Sequence, residues 1–130
     1  MMTAEQRIKS FILSQAIEDG TIKNLNVQED YSENIDDIFE EQNENWQLQD
    51  LMMEFRESGE QTKIPCDYSR HYESYSVARK LGDVWVGWTY WFGGGKHAEP
   101  EAIDWMNEAY FLDVTEEQKV VTVYTYKKVE

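Results

Sequence analysis

Apolar residues recur at helical spacing three times in the first half of the chain. Ile8, Phe11, Ile12 and Ala16 follow Thr3 and Gln6, whose separation matches a capping box, and Gly20 stands where a helix would stop. This predicts a helix over roughly residues 4–19. Ile35, Ile38 and Phe39, then Leu48, Leu51, Met52 and Phe55, repeat the i, i+3, i+4 pattern. They predict one long or two abutting helices, with Ser32 as the N-cap and Ser58-Gly59 as the end. In residues 21–31, Leu25 and Val27 sit among polar neighbours, where a short strand and an ordered loop fit equally.

After Pro65 the period changes. Residues 68–92 are aromatic and β-branched, interrupted by Gly82-Asp83, a two-residue hairpin signal between 70–81 and 84–92. If Leu81 opposes Val84, Val77 pairs with Trp88 and Tyr75 with Tyr90 on one bulky face. The other face is then a shallow floor of Ser74, Ser76, Ala78, Gly87 and Thr89 between the indoles of Trp85 and Trp91. Such a floor invites a packed helix; alternatively its indoles serve as anchors of a binding surface, since buried Trp dominates interface energies.

Gly93-Gly94-Gly95 ends the hairpin, and Glu99-Pro100-Glu101 opens a helix with proline in its first turn and acids at the positive end of its dipole. Ile103, Met106, Ala109 and Tyr110 form its buried stripe. Alternation over 120–126, with Lys127-Lys128 beyond, predicts a last strand joining the hairpin sheet. The expected architecture is α+β in a single domain over 1–130. Acidic helices fill about 1–60; an antiparallel β-hairpin, a helix and a C-terminal strand fill about 66–130 and form one small sheet packed against helices.

Composition turns this architecture toward function. The chain carries 26 acidic and 12 basic residues, a formal charge of −14, and a mean hydropathy of −0.72. Five Trp, eight Tyr and five Phe are more large apolar surface than a disordered acidic chain carries, so the chain should fold. A charge of −14 repels phosphate backbones and anionic membranes, which argues against direct nucleic-acid or lipid binding and for neutral or basic protein partners. Between Gln28 and Glu60 stand twelve acids and one base, −11 of the total. That density serves solubility, and it also suits a protein-binding face in which carboxylates along rigid helices imitate a row of phosphates. Asp36, Asp37, Glu40, Glu41 and Glu44 are the steering residues of that reading, with Trp46, Trp85 and Trp91 as anchors.

Other chemistry is less well supplied. Gly93, Gly94, Gly95 and Lys96 could turn backbone amides and an ammonium toward an anion. The run lacks P-loop spacing, however, and acids open the following helix. His71 and His97, with Glu99 nearby, offer an acid/base pair or a two-His metal site, without any diagnostic ligand spacing. Cys66 is the only cysteine, which excludes an internal disulfide and a cysteine-rich zinc site, and its neighbour Asp67 disfavours the thiolate. The calcium-loop pattern D-x-[DN]-x-[DN]-G is missing. No metal and no cofactor are therefore expected. Neither a signal-peptide order at the N-terminus nor an 18-residue apolar run is present, so the expected location is cytoplasmic.

The run Trp85-Val86-Gly87-Trp88-Thr89-Tyr90-Trp91-Phe92-Gly93-Gly94-Gly95-Lys96-His97, continuing through Glu99-Pro100-Glu101 and Trp105, resembles small uncharacterised acidic proteins of tailed bacteriophages and prophages. The resemblance covers roughly the C-terminal half and carries no known catalytic residues. It implies the host cytoplasm as the setting and, as the expected function, non-catalytic inhibition or modulation of a host or defence protein. A DNA-mimic or anti-CRISPR-like protein acting on a basic or nucleic-acid-binding surface fits the charge. Two alternatives stand beside it: a small enzyme or ligand-binding module using the Gly93–His97 loop, and a phage structural protein that self-associates through its aromatic sheet.

Overall fold

The computed structural model describes residues 2–20, 34–43 and 46–129. Helix α1 spans Ala4–Glu18. Its start is the expected capping box: the Gln6 amide donates to Thr3 Oγ1 at 3.2 Å, and the Thr3 amide donates to Gln6 Oε1 at 3.0 Å. The acidic region forms two helices, α2 (Ile35–Gln42) and α3 (Trp46–Arg56). Asn34 stands at the N-cap of α2, while Ser32, the 21–31 segment and Glu44 lie outside the described residues. Beyond the end of helix α3, the Ser58 hydroxyl and the Ser58 amide both donate to the Phe55 carbonyl, at 2.6 and 3.0 Å, and so close the last turn.

Four antiparallel strands form one sheet in the order β1 (Glu60–Gln61), β2 (Glu73–Leu81), β3 (Val84–Phe92), β4 (Tyr110–Leu112). The hairpin register is the expected one throughout, from Leu81 opposite Val84 to Glu73 opposite Phe92, with Gly82 at φ 63° in the turn. Strand β1, which the hydrophobic pattern does not announce, pairs with Val77 and Ala78.

The chain departs from expectation in three places. Residues 99–110 do not form a helix. Two three-residue 3-10 turns, Pro100–Ala102 and Met106–Glu108, take its place. Asp104 Oδ1 accepts from the Asn107 amide at 3.2 Å, so a local side-chain bond starts the second turn where a helix would have continued. The fourth strand is Tyr110–Leu112, not 120–126, and residues 113–129 have no regular structure and are exposed.

The third departure is the covered face. The helices pack on the bulky side, where Val77, Leu81, Val86 and Trp88 meet Ile8, Ile12, Leu13, Ile35, Leu48 and Phe55 in one core. Burial scales with apolar area, at about 25 cal/mol per Å², so the large side chains attract the helices and the small-residue floor does not. Around Gly87 the floor is occupied by Tyr110 and Leu112 of β4 instead. A Cβ at Gly87 would stand 2.7 Å from the Tyr110 ring and 3.0 Å from Leu112, so only glycine admits this strand's side chains. Phe55 joins the layers, with ring centroids 5.5 Å from Phe11, 5.0 Å from Trp88 and 6.0 Å from Trp105. Arg79 lies over Phe11 and Phe55 at 4.6 and 5.0 Å, and burial pushes its guanidinium below the usual arginine value.

Candidate functional site

Ile35 and Phe39, one turn apart, turn α2 against the core and leave Asp36, Asp37, Glu40 and Glu41 exposed. These four acids are not equivalent. Asp36 accepts from Lys9 Nζ at 2.9 Å and from Gln6 Nε2 at 3.0 Å, and Lys9 also pairs with Glu5 at 2.9 Å. The hydrogen bonds from Lys9 and Gln6 hold the Asp36 carboxyl below the usual carboxylate range. Burial works to lower the Lys9 ammonium, but its bonds to Asp36 and Glu5 outweigh burial and raise it. Asp36 thus fastens α2 to α1 while its side chain stays 56% exposed. Asp37, Glu40 and Glu41 make no ion pair among the described residues.

The tertiary structure adds acids that sequence spacing does not connect. Glu5 and Lys9 of α1, Asp36, Phe39 and Glu40 of α2, Met52 of α3 and the 101–106 segment line a cavity of about 400 Å³. A second depression of about 440 Å³, lined by Gln49, Asp50 and Met53, shares Asn43, Met52, Glu101 and Trp105 with the first. Together they make a trough with Phe39, Met52, Met53, Ile103 and Trp105 among its apolar lining residues. Among the described residues, Glu5, Asp36, Glu40, Asp50, Glu101 and Asp104 line it together with one cation, Lys9. Glu101 and Asp104 were readable only as acids at a helix start. That they meet α2 across a groove depends on Trp105, which is buried beside Phe55 and Trp88 and draws the segment inward.

The three expected tryptophan anchors part company. Trp46 is 68% exposed at the start of α3, and Trp85 is half-buried beside β4. Trp91 is only 6% exposed, and its carbonyl accepts from Arg56 Nη2. Trp91 is therefore buried with the core, whereas Trp46 faces solvent. Neither Trp46 nor Trp85 lines the acidic trough.

The Gly93–His97 loop is shaped by packing. Gly93, Gly94 and Gly95 have φ of 76°, 90° and 92°, and a Cβ at Gly94 would stand 2.6 Å from Ala98 Cβ and 2.8 Å from the Tyr72 ring. The Ala98 amide donates to the Gly95 carbonyl at 3.2 Å, closing a turn. Only a three-residue turn follows at Pro100, so the helix dipole expected to support an anion beside Lys96 is missing. His71 lines an open groove of about 600 Å³ with Cys66 and Tyr72; His97 and Glu99 do not. No hydrogen bond or ion pair joins His71, His97 and Glu99, so the structure does not assemble them into a site.

Among the described residues, no group of three or more His, Cys, Asp or Glu side chains is placed to hold a metal ion, and no helix is long and apolar enough to cross a membrane. Comparison of the chain with protein-family models, curated proteins and solved structures finds no match.

Proposed function

We propose that this chain is a non-catalytic acidic binding protein that receives a basic surface of a partner protein in the trough between α2, α3 and residues 101–106. One observation carries the reading: carboxylates from four separate segments converge on a groove with apolar lining. Lysine and arginine side chains are matched to such a groove, since their stems lie on apolar surface while their heads meet carboxylates. Met52 and Met53 supply adaptable contact area for stems of differing shape. The charge of −14 supports fast electrostatic encounter with such a partner. A protein whose basic surface handles nucleic acid fits best, because a surface built for phosphates is complementary to rows of carboxylates. The resemblance to phage proteins makes that partner a host or defence protein in the bacterial cytoplasm, and this chain its inhibitor or modulator.

The test is capture from bacterial lysate, washed in parallel at low and high salt and read by mass spectrometry, followed by association kinetics with the captured protein. A nucleic-acid-binding protein retained at low salt and released at high salt is the expected result, because its contacts are mainly screened charges. Reversing Asp37, Glu40 and Glu41 to Lys, which leaves the Lys9–Asp36 bond in place, should slow association at least tenfold and flatten its salt dependence. Unchanged kinetics, or no partner at either salt, would overturn the proposal.

A further inference from the structure

The trough already holds a cation of its own. Lys9 Nζ lies 2.9 Å from Glu5 Oε1, 2.9 Å from Asp36 Oδ1 and 5.6 Å from the centroid of the Phe39 ring. All four residues line the cavity of about 400 Å³. The Lys9 side chain is only 14% exposed, so its ammonium has given up most of its water for two carboxylates and an aromatic face. A partner's cation entering here would meet those same groups, filled from within. The filling is easily reversed, because Glu5 and Asp36 are 32% and 56% exposed, and ion pairs open to water are worth little. Helix α2 has other fastenings: Ile35 and Phe39 are buried in the core, and Gln6 Nε2 donates to Asp36 Oδ2 at 3.0 Å.

Resting on the reading of the trough as the receiver of a basic surface, we infer that Lys9 is an internal competitor for it, displaced by arginine and not by lysine, so that the protein selects arginine-bearing partners. Lys9 stands on the same helix as Glu5, so an incoming lysine meets an identical ammonium already present at high effective concentration. Exchange of like for like gains nothing. A guanidinium differs in three respects. Its planar fork of donors matches carboxylates bidentately, and it stacks on aromatic faces such as that of Phe39. It is also more weakly hydrated than an ammonium, so it loses less on entering the cavity, while the released Lys9 regains its water. The remaining charged groups lining this cavity, Glu40, Glu101 and Asp104, are all acidic and attract either cation without distinguishing them.

Calorimetric titration of the full chain with hexa-arginine and with hexalysine, peptides of equal charge, tests this at low salt. Wild type should bind hexa-arginine about tenfold more tightly, the factor that one hydrogen bond between charged groups supplies. Lys9→Met keeps the apolar stem and should narrow that preference to about twofold, chiefly by strengthening hexalysine. Lys80→Met removes the same charge from a different cavity and should leave the preference at its wild-type value. NMR of wild type reads the displacement without any variant: hexa-arginine should move the Lys9 ε-methylene signal to the position of a free lysine, and hexalysine should not. Equal affinities in wild type, a preference that survives Lys9→Met, or a Lys9 signal unmoved at hexa-arginine saturation overturns the inference. The trough itself still stands in those cases if reversing Asp37, Glu40 and Glu41 to Lys weakens both peptides. Binding of neither peptide, or binding indifferent to that reversal, overturns the trough as receiver and the competitor role of Lys9 with it.

Discussion

Phe55→Ala should be among the most damaging single substitutions in this protein. The ring is 1% exposed, stacks on Trp105 and meets Phe11 from α1 and Trp88 from β3 at tilted angles. Burial of such a side chain is worth about 1.5–3 kcal/mol. A ring-sized void of about 80 Å³ adds about 2 kcal/mol at about 24 cal/mol per Å³. The expected loss is therefore about 4 kcal/mol, a large part of the ~5–15 kcal/mol that holds a domain of this size. It corresponds to a fall in Tm of about 15 °C, at roughly 4 °C per kcal/mol. Urea unfolding followed by tryptophan fluorescence, with the midpoint read at constant slope, measures it. Phe111→Ala, at an exposed site, is the control and should cost less than about 0.5 kcal/mol. A Phe55→Ala loss below about 1 kcal/mol would refute Phe55 as the junction of helices, sheet and turn segment.

Three further outcomes follow from the same geometry. Asp36 is lowered in the folded state, so its contribution is present above the ordinary carboxylate range and disappears as pH falls through the lowered value. The stability gap between wild type and Asp36→Asn should therefore stay below about 1 kcal/mol at neutral pH, because the pair is partly exposed, and close in acid below about pH 4, read by urea titration. Lys9 is raised, so its contribution is present below the ordinary lysine value and is lost only at strongly alkaline pH. Gly94→Ala should cost about 2–3 kcal/mol and Gly95→Ala about 1 kcal/mol in the same assay, since both have positive φ but only Gly94 also meets Ala98 and Tyr72; equal losses would sink the packing account of the loop. Trp91→Ala should destabilise by about 3–5 kcal/mol, whereas Trp46→Ala should leave Tm unchanged, a contrast that differential scanning calorimetry reads directly.

Where a signal was contained in neighbouring residues, it was legible in the sequence. Thr3 and Gln6 cap α1 through bonds three residues apart, and Gly82-Asp83 set the whole hairpin register through one turn. The amphipathic stripes of α2 and α3 likewise follow from spacing alone, because a 3.6-residue period places Ile35 with Phe39 and Leu48 with Leu51 and Phe55 on one side. The exposure of Asp37, Glu40 and Glu41 was the complement of that stripe. The α+β class and the order of helices before strands needed nothing more.

What the tertiary structure decided were competitions between segments. Residues 103–110 have a helical stripe, yet Trp105 gains more in the aromatic core beside Phe55 and Trp88, and Tyr110 gains the seat over Gly87, than either would on a regular helix. That choice put β4 where the 120–126 strand was expected, left 120–126 unpaired, seated Tyr110 over Gly87 and brought Glu101 and Asp104 opposite Glu40. Tertiary packing also gave Asp36 its partner Lys9, twenty-seven residues away. Local propensity is worth tenths of a kcal/mol per residue, roughly up to 0.7, whereas burial of a large aromatic side chain is worth about 1.5–3 kcal/mol. Local chemistry therefore set the elements that no long-range contact opposed, and long-range packing set the rest, including the acidic trough on which the proposed function rests.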